Sequence, residues 1–203
     1  MSGPQSAEPT ALDVAALPAH QLARRRRIIV GAMELLEREE YEQIQIRHVA
    51  EQAGVALGTL YRYFNSKEHL YAAVLLDWAG PFWAKQDPAE QKLPPEQRLR
   101  RRMRGAIRAF ERRPQYFRVQ SLLQISSDPH AKSLYAEFAL RNQEAVGREL
   151  AGMPKQKAQD SVMILMSVLS QMLAAYAFHG KPVEEVYRVM DLCVDLIVTT
   201  LPS

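Results

Sequence analysis

Apolar residues recur every three or four positions through most of the chain, and Gly and Pro cut the segments that carry this period. No run of strict alternation bounded by hairpin dipeptides interrupts it, so the pattern predicts an all-α protein. A first helix is expected over residues 19–39, with Ile28, Ile29, Ala32, Met33, Leu35 and Leu36 as its buried stripe. Ile46, Val49, Ala50 and Ala53 fall on one face of a two-turn second helix, which Gly54 stops. Only glycine enters the left-handed region of a tight interhelical turn without a Cβ clash. Val55 follows as a buried turn residue. A third helix, residues 57–64, turns Leu60 and Phe64 inward and leaves Ala56, Leu57, Thr59, Arg62 and Tyr63 outward. Ala50 is small enough to let the second and third helices cross closely.

Ser66 caps a fourth helix, along which Leu70, Val74, Leu75 and Trp78 face inward until Gly80 and Pro81 disturb it. Residues 86–95, with three prolines, read as a loop. Pro95 opens a fifth helix with an apolar stripe of Leu99, Met103, Ala106, Ile107 and Phe110. Its other face carries Arg98, Arg101, Arg102, Arg108 and Arg112, either a solvated surface or a seat for an anionic partner. Pro114 starts a sixth helix to about Ser126. Asp128 and Pro129 are an N-cap and first-turn pair for a seventh that reaches Leu150. An eighth covers residues 155–179 and a ninth residues 183–200, separated by Gly180, Lys181 and Pro182.

With 203 residues, 47% of them apolar, the chain buries a sizeable core. The net charge of +3 is mild, but Arg24 to Arg27 and the stretch 98–113 bunch the positive charge. Four arginines at a helix N-terminus oppose the helix dipole, which favours contact with DNA phosphates as their role. The single cysteine, Cys193, rules out an internal disulfide framework and a cysteine zinc cluster, and its apolar surroundings read as packing. No secretory signal is legible, so a cytoplasmic protein is expected. The apolar run 162–178 is short for a membrane span and broken by Ser167, Ser170 and Gln171. A buried helix and no membrane partner are expected. The histidines are scattered, no nucleophile, metal or phosphate-loop pattern emerges, and neither enzymatic activity nor a cofactor is expected.

The run GVALGTLYRYFNSKEHL, residues 54–70, closely resembles the DNA-binding signature of TetR-type transcriptional regulators. It matches in its Gly-Thr-Leu-Tyr run, the aromatic pair Tyr63 and Phe64, and Ser66 with Lys67. Gln45 departs from that pattern, which usually has Ser or Thr there; either it reaches the DNA backbone or the second helix starts elsewhere. The resemblance implies a nine-helix TetR-like fold. Residues 1–18 form a mobile tail, 19–66 a helix-turn-helix domain, and 67–203 an effector-binding and dimerisation domain, joined by the fourth helix over 66–84.

On DNA, the matching family positions imply that Arg47, Leu57 and Thr59 meet base edges, with Ala56, Gly58 and Arg62 on the same face. Tyr61, Tyr63, Asn65 and Lys67 grip phosphates. One helix-turn-helix reads too few bases alone, so a homodimer on a palindromic operator is expected. The last two helices carry more apolar surface than one core uses. By resemblance they pair with their mates through Val162, Leu165, Leu169, Met172, Leu173, Tyr176, Val186, Met190, Cys193, Val194 and Ile197. Trp78, Phe82, Trp83, Phe110, Tyr116, Phe117, Leu122, Tyr135, Phe138 and Met166 permit a large apolar pocket with few polar groups. A hydrophobic effector follows: an acyl-coenzyme A, a fatty acid or a steroid. The stretch VALGTLYRYF is similar to that of cholesterol-catabolism repressors of actinomycetes. An activator of the same architecture, or an adaptor without DNA affinity, are the alternatives.

Overall fold

Gly54 has φ +63°, and the chain turns there between two short helices. In the computed structural model, which describes residues 17–84 and 88–199, those helices are α2 (Ile46–Gln52) and α3 (Leu57–Tyr63). The Val55 amide donates to the Ala50 carbonyl at 3.0 Å and closes the turn. Val55 itself is half-buried rather than buried. Gln45 is the N-cap of α2 in extended conformation, and its side chain caps nothing. α1 (Ala19–Leu36) ends three residues earlier than its apolar period suggested. α1 and α2 approach closely at Gly31, where a Cβ would meet the Ala53 nitrogen at 3.3 Å.

α4 (Lys67–Trp83) begins at Ser66, whose Oγ accepts from the His69 amide at 2.9 Å. It runs on through Gly80 and Pro81 to Trp83, close to the expected span of 66–84. A proline in the last turn removes only its own amide bond, and the helix ends two residues on. A one-turn helix, α5 (Pro88–Gln91), interrupts the expected loop. The rest of the bundle comprises α6 (Pro95–Arg112), α7 (Pro114–Gln124), α8 (Pro129–Gly147), α9 (Lys155–His179) and α10 (Val183–Val198). Asp128 accepts from the Ala131 amide at 2.8 Å as the N-cap of α8. After α8 a 3-10 turn, Arg148–Leu150, carries the chain on, and Gly180, at φ +65°, ends α9. The fold is thus the nine-helix arrangement with one short helix added. Of the expected N-terminal tail, residues 1–16 lie outside the described residues, as does Thr200 at the expected end of the last helix. Leu17 packs on the core and Pro18 is the N-cap of α1, so the fold begins slightly earlier than expected.

α1 packs on α2 and α4; α4 packs on α7 and, most extensively, α8; α6 packs on α10, which pairs with α9. Among the described residues α9 is the one helix long and apolar enough to cross a membrane. In the fold only one side of it is buried: Leu165, Leu169 and Leu173 face the core, whereas Met163, Ile164 and Phe178 are exposed.

The arginine face of α6 is only partly solvated surface. Arg98 and Arg102 both pair with buried Glu149, and Arg101 with Glu90 at 3.5 Å. Arg100 and Arg104, one turn apart, meet Asp191 and Asp195, one turn apart on α10. Hydrogen bonding to Arg104 outweighs burial and holds the Asp191 carboxyl below its ordinary range. Arg108 and Arg112 stay exposed.

Candidate functional site

Leu60 and Phe64 are fully buried beneath α3, which fixes which face the helix shows to solvent. That face consists of Ala56, Leu57, Gly58, Tyr61 and Arg62, with Leu57 42% and Tyr61 48% exposed. Thr59 is half-buried beside them, and Asn65 is exposed just past the helix. Arg47, in the first turn of α2, is exposed too. Solvated leucine and tyrosine on a polar helix face are what a groove-reading surface needs.

Two expected phosphate contacts are placed otherwise. Tyr63 is buried, 6% exposed, because it shares the inward side of α3 with Leu60. The Lys67 ammonium donates to the Tyr41 carbonyl and lies 4.1 Å from the centroid of the Tyr41 ring. It ties the α1–α2 connector to the start of α4. Among the four clustered arginines, Arg25 sits 5.0 Å over the Phe64 ring, and burial lowers its pKa. Arg26, 73% exposed, stands 4.0 Å from Asp77, and Arg27 is exposed.

The reading head meets the rest of the chain along a polar seam. His69 in α4 stacks on His130 in α8 with centroids 5.0 Å apart, and the Asn65 amide donates to its Nδ1 at 3.2 Å. Burial, then His130, lowers the His69 pKa to about 4. Burial pushes the Asp128 carboxyl up, but the Ala131 amide and the Ser66 hydroxyl pull it below its ordinary value. Across the molecule Arg113 reaches Glu37 at 2.8 Å and Arg118 reaches Glu40 at 3.8 Å.

Behind the head lies a cavity of about 380 Å³ between α4, α6, α7, α8 and α9. Trp78, Phe82, Phe110, Phe117, Tyr135, Phe138 and Met166 line it as expected. Three expected residues do not. Tyr116 is fully buried, stacked on Trp78 with centroids 4.5 Å apart. Leu122 points to solvent. Trp83 donates through Nε1 to Asn142 Oδ1 at 3.0 Å and so fixes a lining residue from behind. The lining is also more polar than expected: Gln120, Gln124, Asn142, Gln143, Ser167, Ser170 and Gln171 take part. Their signal was present as polar positions inside otherwise apolar helices, where a helical stripe alone does not separate cavity wall from solvent face. Among the described residues no group of three or more His, Cys, Asp or Glu side chains could hold a metal ion.

The expected dimer residues divide. Val162, Leu165, Leu169, Leu173, Val186, Met190, Val194 and Ile197 are buried in the monomer, while Met172, Tyr176 and Cys193 are half-buried. The stripe at helical spacing serves the chain's own core. The apolar surface left outside is the adjoining one, Met163 (68% exposed), Ile164, Leu192 and Leu196 (64%).

The family model described as bacterial regulatory proteins, tetR family, matches residues 28–74. The HTH-type transcriptional repressor KstR of Mycobacterium tuberculosis is 30% identical over 180 residues, 88% of this chain and 82% of that protein. The chain belongs to the TetR family. This TetR-family chain has the fold of a TetR transcriptional regulator from Rhodococcus sp. RHA1, with a TM-score of 0.72 and 26% identity over 90% of this chain and 99% of that one. It also shares the fold of Thermus thermophilus FadR, a TetR-family repressor solved in complex with lauroyl-CoA, with a TM-score of 0.70 and 16% identity over 88% and 95% of the two chains. TetR-family proteins are regulators and not enzymes, and this one carries the N-terminal helix-turn-helix and C-terminal helical bundle of the family.

Proposed function

We propose that this TetR-family regulator is a repressor that binds a palindromic operator as a homodimer in the cytoplasm and leaves it when a hydrophobic molecule enters the cavity. The observation that carries the proposal is the joint placement of an exposed α3 face and an aromatic-walled cavity, with α4 running from His69, which meets Phe64 and Asn65 at the end of α3, to the cavity wall, and α8 packed along it. Arg47, Leu57 and Thr59 read bases, while Tyr61, Arg62 and Asn65 contact the backbone. Tyr63 and Lys67 position the head from within. The two copies meet through Met163, Ile164, Leu192 and Leu196, because exposed apolar side chains on paired helices favour a partner.

The effector is an acyl-coenzyme A, a fatty acid or a steroid-like compound. Aromatic walls and a volume in the range of small-molecule sites support this, as does the Thermus protein of the same fold, which holds lauroyl-CoA. Selecting duplexes from a random pool, then titrating the winner, tests the DNA half. Arg47→Ala is expected to lose about 1–3 kcal/mol of discrimination at one base pair and little affinity for scrambled duplex. Equal losses on both remove Arg47 from base reading.

A further inference from the structure

Arg102 is the one charged side chain among the described residues that line the cavity, and it belongs to a buried trio. Its Nε donates to Glu149 Oε1 at 2.9 Å and its Nη2 lies 2.9 Å from the same oxygen, while Glu149 Oε2 accepts from Arg98 Nε at 2.9 Å. Glu149 is 4% exposed, and both guanidinium groups are largely buried with it. Two cations share one carboxylate, so the trio carries one excess positive charge. Backbone carbonyls solvate that charge: Phe82 accepts from Arg102 Nη1 and Leu93 from Arg98 Nη1, each at 2.7 Å. They do not neutralise it, and no acidic side chain among the described residues lines the cavity. An uncompensated charge held away from water is unfavourable, and an anion entering beside it relieves the imbalance.

The donors for such an anion are in place. A guanidinium has five N–H groups in one plane. Glu149 and Phe82 occupy three of those of Arg102, which leaves one on each terminal nitrogen without a partner among the described residues. A carboxylate takes N–H donors of this kind at charge-assisted strength. The rest of the wall calls for an apolar body, since Trp78, Phe82, Phe110 and Phe138 line it beside uncharged amides and hydroxyls. A ligand with a single negative charge brings trio and ligand together to two cations and two anions. A group with several charges, such as the phosphates of coenzyme A, overshoots that balance.

We propose that the effector is an amphipathic monoanion whose carboxylate is read by Arg102, with its charge balanced by the Arg98–Glu149–Arg102 trio and its apolar body held among the aromatic rings. The inference rests on the reading of the cavity as the effector site. It separates the classes left open above, because a free fatty acid or a steroid acid presents a carboxylate, whereas a thioester or a neutral steroid does not.

Two matched sets test it: decanoate against decanol and decanoyl-coenzyme A, and progesterone against the steroid acid that replaces its methyl ketone by a carboxylate. Binding to the full chain is measured by isothermal titration at about pH 8, where the acids are fully ionised. In at least one set the free acid is expected to bind about thirtyfold more tightly than its counterparts. Arg102→Met leaves a neutral Arg98–Glu149 pair, so this variant is expected to fold, to bind the acid about thirtyfold more weakly and to bind the alcohol or ketone as wild type does. Glu149→Gln removes the competing carboxylate and keeps an oxygen for the guanidinium groups. It is expected to tighten the acid about threefold and leave the neutral ligand unchanged, a gain that a purely structural trio would not give. A counterpart that equals or beats the acid in every set that binds, or a folded Arg102→Met protein that keeps the wild-type preference, overturns the inference while leaving the cavity an effector site. Should Arg102→Met not fold, an unchanged preference in Glu149→Gln overturns it instead, and the comparison on the wild type needs no variant. Failure of all five probes to bind the folded wild type overturns the effector site itself, and the inference with it.

Discussion

The imidazole of His69, in the first turn of α4, lies over that of His130, in the first turn of α8, with 5.0 Å between ring centroids. The contact joins the DNA-reading head to the bundle, and it depends on His69 remaining neutral. Burial and the neighbouring ring bring the His69 pKa to about 4 in the folded chain, against 6.5 in a free histidine. Above pH 6.5 the ring is neutral in both folded and unfolded states, so stability is insensitive to it. As pH falls from 6.5 to 4 the unfolded chain takes up a proton that the seam excludes, and stability drops through that window by up to about 3 kcal/mol before levelling off. Urea midpoints at pH 7.5 and 5 measure this. His69→Gln is expected to flatten the difference, and an undiminished pH dependence in that variant refutes the assignment.

Tyr116 has the opposite character. Its ring is stacked on Trp78, yet its hydroxyl is buried with no hydrogen-bond partner, the only such side-chain atom among the described residues. A stranded hydroxyl costs free energy that phenylalanine does not. Tyr116→Phe is therefore expected to stabilise the chain by about 1 kcal/mol in chemical denaturation. A loss of stability would show that the hydroxyl has a partner in solution.

Two glycines of the head carry separable constraints. Gly54 has free space where a Cβ would go but a left-handed backbone; Gly31 has an ordinary helical backbone but the Ala53 nitrogen at 3.3 Å from its would-be Cβ. Gly54→Ala is expected to cost about 1–2 kcal/mol through backbone strain, and Gly54→Asn noticeably less. Gly31→Ala pushes α2 off α1, with a comparable cost and a loss of DNA affinity beyond it. Equal stability of Gly54→Asn and Gly54→Ala would contradict the first half, and wild-type affinity in Gly31→Ala the second.

Exposure decides which apolar residues on the last two helices serve association. Leu192→Glu combined with Met163→Glu is expected to give a folded monomer by analytical ultracentrifugation, since both side chains are solvated in the single chain. Val194→Glu, at a position with no solvent exposure, is expected to prevent folding by burying an unpaired charge. A double variant that stays dimeric sends the interface elsewhere.

Much of this was legible from the chain itself. Gly54, Ser66, Asp128 and Gly180 each announce a turn or cap by chemistry that acts locally, and each does so in the structure. The TetR resemblance rests on the same local chemistry. What failed depends on a third dimension. A helical stripe such as Val162, Leu165 and Leu169 states that a surface is buried, not whether its own chain or a second copy buries it. Lys67 and Tyr63 look like surface residues until the Tyr41 connector and the α3 underside are in place. Arg98 and Arg102 looked solvated because the acid they share, Glu149, lies 51 and 47 positions away. The spacing of Arg100 with Arg104 against Asp191 with Asp195 is the one signal of these pairs that the sequence itself carries.

α8 runs unbroken from the Asp128 cap at the reading head to Tyr135, Phe138 and Asn142 at the cavity wall. Fourteen residues of helix span about 20 Å, and a rod of that length has no hinge in which to lose a displacement. In the dimer proposed above, a ligand thick enough to shove one end aside would drag the other, and the distance between twin heads would become a gauge of how full each chamber is.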